Sequence, residues 1–166
     1  KERLDVAMFG AELMKTLGKK AGDILTRRVK NGELDEWLKA KSIDTKLGGW
    51  MKDAAKIKGM RIVSYHKTYI YFCDRFGIQV AGELEEKPGI PPPPQHRDAV
   101  VELVKRENIR MILNDNFYSP DAAEYISSKT SAKVVVTYIE AGATPEVDTY
   151  EKLMTYLLDK IAEAVR

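Results

Sequence analysis

Apolar positions along this chain change period near residue 59. Before it they fall three and four apart. Val6, Met8, Phe9, Leu13, Met14 and Leu17 predict a helix ending near Gly18, and Ile43, Leu47, Trp50, Met51 and Ala54 predict another. Asp44 stands where an N-cap belongs and Gly59 where a helix stops. Gly48 and Gly49 lie inside that second pattern and weaken it by about 1 kcal/mol each. After residue 59, short β-branched runs alternate with helical stretches. Strands are expected at 60–65, 78–84, 109–113 and 133–139. Helices are expected at 68–76, closed by Gly77, at 95–107, and from Ser119-Pro120 to about Lys129. The strongest stripe, Tyr150, Leu153, Met154, Leu157, Leu158, Ile161 and Val165, predicts a last helix. Proline holds 87–94 extended.

Strands alternating with helices predict an α/β fold: a four-stranded parallel sheet flanked by helices, with right-handed crossovers. The run Lys133-Val134-Val135-Val136 fits a strand covered on both faces. Residues 1–58 form a helical segment of different character, and 59–166 the α/β unit.

Composition narrows the function classes. With 27 Lys+Arg against 25 Asp+Glu the net charge is +2, so nothing drives the whole chain toward nucleic acid or an anionic membrane. Six basic residues crowd 15–30, but no aromatic residue interleaves them, and they read as a solvated helix face. One cysteine, Cys73, excludes an internal disulfide. Two histidines and one cysteine cannot close a Cys/His zinc site. No apolar run approaches the roughly 20 residues of a membrane helix. The opening Lys1-Glu2-Arg3-Leu4-Asp5 has no signal-peptide core, so the chain is either cytosolic or begins after a targeting segment.

In open parallel sheets, ligands bind beyond the carboxyl ends of the strands. That rule selects His66 after the first strand, Glu85 and Glu86 after the second, Asn114, Asp115 and Asn116 after the third, and Glu140 and Asp148 after the fourth. A histidine and carboxylates on one rim suit a divalent metal or acid–base chemistry. Each residue also has a plainer reading. His66 is a histidine bonded to a loop carbonyl, and Asp148 opens a capping box with Glu151 at N3. Glu85 and Asp115 read as solvated loop acids, His96 as surface, Cys73 as a buried inert thiol, and Trp37 and Trp50 as core. Phosphate-loop, dinucleotide, zincin and nucleophile-elbow motifs are absent.

Several stretches together resemble the C-terminal lobe of zinc/manganese ABC-transporter solute-binding proteins. They are Gly59-Met60-Arg61-Ile62-Val63-Ser64-Tyr65-His66-Lys67-Thr68, the run Leu84-Glu85-Glu86-Lys87-Pro88-Gly89-Ile90-Pro91-Pro92, Lys129 to Val135, and Asp148-Thr149-Tyr150 followed by Leu153-Met154. The second is similar to the family's LEPKPGIPPS signature, with Glu86 and Pro93 as departures, and the third to its KTGAKVV. Leu47-Gly48-Gly49-Trp50 resembles the end of the long helix that joins the two lobes.

The resemblance implies extracytoplasmic, periplasmic or cell-surface, capture of Zn²⁺ or Mn²⁺ between two α/β lobes, and delivery to a membrane permease. It makes His66 and Asp148 the metal ligands offered by this lobe. The N-terminal lobe that supplies two more ligands is missing, since no histidine precedes His66. Residues 1–58 are then a remnant of that lobe plus the linker. A histidine at 66 favours zinc over manganese, with binding that is weak in this chain alone and falls below about pH 6. A lipid anchor would lie outside the chain. Two other readings compete: a protein-interaction module, and a small α/β enzyme with His66 as acid/base and Asp148 or Glu140 as partner.

Overall fold

The computed structural model describes residues 1–87 and 89–164. Pro88 of the proline-rich signature and Val165 of the last stripe lie outside the described residues. The chain divides into two compact units, Lys1–Lys56 and Ile57–Arg166.

The first unit is a set of short helices: α1 (Glu2–Phe9), α2 (Ala11–Leu17), α3 (Ala21–Lys30), α4 (Leu34–Ala40) and α5 (Gly49–Asp53), with 3₁₀ turns at Gly18–Lys20, Asp44–Lys46 and Ala54–Lys56. Phe9, Leu13, Ala21, Leu25, Leu34 and Leu38 form its buried core. Two expectations are corrected here. The helix expected up to Gly18 breaks at Gly10, which has φ +83°. The helix expected from Ile43 to Ala54, and with it a long linker helix, is replaced by a 3₁₀ turn, an extended Leu47 and the five-residue α5. Asp44 makes no side-chain capping bond there. The glycines supply the reason. Gly48 N–H donates to the Phe9 carbonyl at 2.9 Å, and a Cβ on Gly49 would lie 2.2 Å from the Ala7 carbonyl oxygen. The backbone at 48–49 is pressed onto the end of α1, an approach only glycine permits.

The second unit has the predicted α/β architecture. Strands β1 (Arg61–Ser64), β2 (Gln79–Glu83), β3 (Met111–Asp115) and β4 (Lys133–Thr137) form one parallel sheet in the order β2-β1-β3-β4. Helices α6 (Ile70–Phe76), α7 (Pro94–Arg106), α8 (Asp121–Lys129) and α9 (Tyr150–Ala164) connect and cover it. Alternation along β1 sends Val63 to the face where Val100, Val101, Val104, Ala123 and Ile126 of α7 and α8 pack. Gly77 closes α6 in the left-handed conformation, its N–H bonded to the Cys73 carbonyl.

The strand buried on both faces is β3, all five of whose residues are buried, rather than the β-branched β4. Strand β4 lies at the sheet edge, and Val136 is 48% exposed. Sheet order, not strand hydrophobicity, decides which strand is covered.

Candidate functional site

The strand order reverses direction between β1 and β3: the chain winds to β2 on one side and to β4 on the other. The crevice outside such a reversal is the preferred ligand position in open parallel sheets. His66 leaves β1 at that point, in an extended conformation just before a 3₁₀ turn at Lys67–Tyr69. Asp115 ends β3 beside it.

Parallel pairing puts Glu85 opposite His66. Ile62 pairs with Val80, but Val63 pairs with Gly82, so the register steps by one residue at Ala81. The ladder continues past the strands as Leu84 N–H donates to the Ser64 carbonyl at 3.0 Å and Glu85 N–H to the Tyr65 carbonyl at 2.8 Å. Glu85 Oε2 then lies 2.9 Å from His66 Nδ1. The contact is short but off-axis, and neither atom has an aligned hydrogen bond. The other carboxylate oxygen, Oε1, accepts from Gly89 N–H at 2.6 Å, which ties the proline loop to the same group. Tyr65 and Tyr118 stack alongside at 4.3 Å between centroids. Burial, and then the Glu85 carboxylate, push both phenols above their ordinary pKa. Glu85 is 2% exposed, so its expectation as a solvated acid is corrected.

Asp115 is likewise fully buried rather than solvated. Its Oδ2 accepts from the Thr68 hydroxyl at 2.8 Å, and its Oδ1 is buried without a partner. Tyr69 Oη sits 2.5 Å from Thr137 Oγ1. Burial first, and the Asp115 carboxylate second, raise the Tyr69 phenol far above its ordinary value. The turn that carries His66 is therefore fastened to both β3 and β4. His66 itself keeps 27% of its side chain exposed although Nδ1 is buried.

Asp148 stands in a different setting. It follows a 3₁₀ turn, Pro145–Val147, anchored by the fully buried Val147. Its side chain is 50% exposed and paired with Lys152 at 2.9 Å, one helical turn along. The cap of α9 is corrected by one position. Thr149, not Asp148, receives the helix N–H, from Lys152 at 3.3 Å, so Asp148 is free of capping duty. His66 follows β1 and Asp148 lies eleven residues beyond the end of β4, with β3 between those two strands. No hydrogen bond or ion pair joins them.

His96 is corrected from surface to anchor: Nε2 lies 2.9 Å from the Glu83 carbonyl and Nδ1 3.3 Å from Glu86. Cys73 is buried as expected, and burial pushes its thiol up to about 12. Among the described residues no three His, Cys, Asp or Glu side chains converge on a position that could hold a metal ion. No described helix is long and apolar enough to cross a membrane.

The model of the family described as zinc-uptake complex component A, periplasmic (ZnuA), matches residues 39–164. The fold is shared with solved metal-binding solute-binding proteins. The SBP FpvC from Pseudomonas aeruginosa, in complex with Mn²⁺, superposes with a TM-score of 0.56 at 20% identity, over 87% of this chain and 58% of that one. The Cd-bound periplasmic metal-binding protein from Candidatus Liberibacter asiaticus gives 0.59 at 16% identity, over 88% and 51%. A mutant of the laminin-binding adhesin Lmb from Streptococcus agalactiae gives 0.51 at 17%, over 86% and 49%. The chain thus spans about half the length of the solved structures it matches. No curated protein matches it significantly.

Proposed function

We propose, from the premise that the chain belongs to the periplasmic zinc-uptake component A family, that it supplies one half of a cleft that captures a divalent transition metal outside the cytoplasm. The family is one of metal uptake rather than catalysis. In this reading the metal is cargo. His66 offers a ring nitrogen and Asp148 a carboxylate oxygen, both from the carboxyl edge of one lobe. Two further ligands come from a partner lobe. Zinc is the preferred cargo and manganese the alternative, because an imidazole suits a borderline cation better than a hard one. The loaded protein passes its metal to an ABC permease. Residues 1–58 are read as what remains of the linker and the other lobe.

The observation that carries the reading is the setting of His66. A partly exposed imidazole sits at the β1/β3 reversal, with a buried carboxylate against Nδ1. Metal-bound histidines are held this way, with the second nitrogen tied to a carboxylate or carbonyl. The donor set on this lobe fits a borderline cation but is incomplete, consistent with weak binding by this chain alone. Solved structures of the same fold carry Mn²⁺ or Cd²⁺, which supports the class of cargo.

The enzyme reading, in which His66 moves protons, is less favoured because the family is one of metal uptake; a carboxylate against Nδ1 would suit a general base as well as a metal ligand. The interaction-module reading has one observation in its favour. Ile90 and Phe117, on the loops after β2 and β3, and Tyr150, the first residue of α9, are 56%, 60% and 52% exposed. A partner lobe facing this edge would account for the same exposure.

Calorimetric titration with Zn²⁺ and Mn²⁺ at pH 7.5 and 5.5 tests the proposal. Weak zinc binding at pH 7.5 that disappears in His66→Ala and in acid is expected. Binding unchanged by the substitution, or tight binding by this chain, overturns the half-site.

A further inference from the structure

We infer that Glu85 is a positioning residue for His66: its buried carboxylate holds the imidazole in the Nδ1–H tautomer and so leaves Nε2 as the nitrogen that meets the metal. The inference rests on the reading of His66 as a metal ligand.

The sheet itself makes the juxtaposition. Had β1 and β2 kept the register of Ile62 and Val80, Leu84 would face His66. The one-residue step at Ala81 brings Glu85 there instead. Glu85 is then enclosed with one oxygen occupied. Oε1 takes the Gly89 N–H at 2.6 Å, and Oε2 is buried and lies 2.9 Å from Nδ1. Tyr65 and Tyr118 wall the carboxylate in.

Chemistry fixes the proton from there. A neutral imidazole carries one N–H and one lone pair, and an ionised carboxylate only accepts. A lone pair on Nδ1 facing Oε2 at 2.9 Å would set two acceptors against each other. A proton on Nδ1 turns the same contact into a charge-assisted hydrogen bond. The lone pair then belongs to Nε2, on a ring that is 27% exposed. A metal on Nε2 and the Glu85 contact at Nδ1 would then support each other. Through Gly89 N–H, the same carboxylate links the ring to the proline loop.

The tautomer is observable without any metal. The experiment is nitrogen-detected NMR on the metal-free chain at pH 8 with ¹⁵N-labelled histidine, with the His66 signals identified by their loss in His66→Ala. The expected spectrum has a protonated Nδ1 and a pyridine-like Nε2. Glu85→Gln, which can offer an amide N–H as readily as an oxygen, is expected to shift the population toward Nε2–H and to weaken zinc binding 10–100-fold. Glu85→Asp keeps the carboxylate and is expected to retain the Nδ1–H form. Wild-type His66 protonated on Nε2, or tautomer populations unaltered by Glu85→Gln, overturns the inference. If the glutamine variant does not fold, judged from its amide spectrum, the wild-type and Glu85→Asp spectra still decide. The outcomes separate the two claims. A set tautomer without zinc binding defeats the metal reading alone, and zinc binding with an Nε2–H ring defeats the role of Glu85 alone.

Discussion

The turn after β1 and the loop before α9 each carry one of the two proposed metal donors, and they are built in opposite ways. His66 is gripped. Glu85 stands against its ring, Thr68 and Tyr69 fasten its turn to Asp115 and Thr137, and of these groups all but Thr68 are buried. Asp148 is loose. It is half exposed, and its ion-pair partner is an exposed lysine on its own helix. A buried arrangement is expensive to disturb because each broken contact strands a polar group out of water. An exposed i,i+4 pair is worth only a few tenths of a kcal/mol and yields readily to a competing cation. The proposed half-site thus pairs a donor held by buried contacts with a donor that can adjust.

The contrast can be broken from its stiff side first. The turn and helix that follow His66 bury two weak acids, Tyr69 and Cys73. Both pKa values are raised in the fold, so both groups favour folding while protonated, and that contribution is lost as pH rises. For Cys73 the window runs from the ordinary value of 9.0 to about 12. At most about 4 kcal/mol of stability is lost across it, by 1.36 kcal/mol per unit. Urea unfolding at pH 7.5, 9 and 10.5 is expected to show the decline beginning near 9, and Cys73→Ala to lessen it. Next in size is Asp115→Ala, which leaves the part-buried Thr68 hydroxyl without its acceptor. It is expected to cost about 1–3 kcal/mol in the same assay and to loosen the His66 turn.

The loose side responds less. Asp148→Ala removes an exposed pair and is expected to change stability by no more than about 0.5 kcal/mol while weakening zinc binding in calorimetry. The smallest effect is expected from Lys152→Ala. It frees Asp148 from its competitor and raises zinc affinity by no more than about threefold, leaving stability within about 0.5 kcal/mol. A large loss of stability in Asp148→Ala would erase the distinction between the two regions.

How far the sequence revealed this arrangement differs by residue. Alternating periods sufficed for the α/β fold, whereas the strand-end rule listed His66 among eight rim residues and only the family resemblance singled it out as a proposed ligand. Local patterns failed where distant backbone decided the outcome. Gly48 and Gly49 look like flaws in a helix until the chain at Ala7 to Gly10 is seen pressed against them. Glu85 looks like a solvated acid because its burial depends on a register step at Ala81, which leaves no mark in side-chain type. Asp115 is paired with Thr68, 47 residues away, and no local signal announces such a bond. The single-residue shift of the α9 cap from Asp148 to Thr149 reflects two adjacent capping-competent residues, and the burial of Val147 fixes which one is used.

Zinc K-edge X-ray absorption on the zinc-loaded chain tests the central claim most directly. The account predicts nitrogen and oxygen donors at about 2.0–2.2 Å with the scattering of a single imidazole, lost in His66→Ala. A sulfur donor near 2.3 Å, or an imidazole signature that persists in His66→Ala, would contradict it.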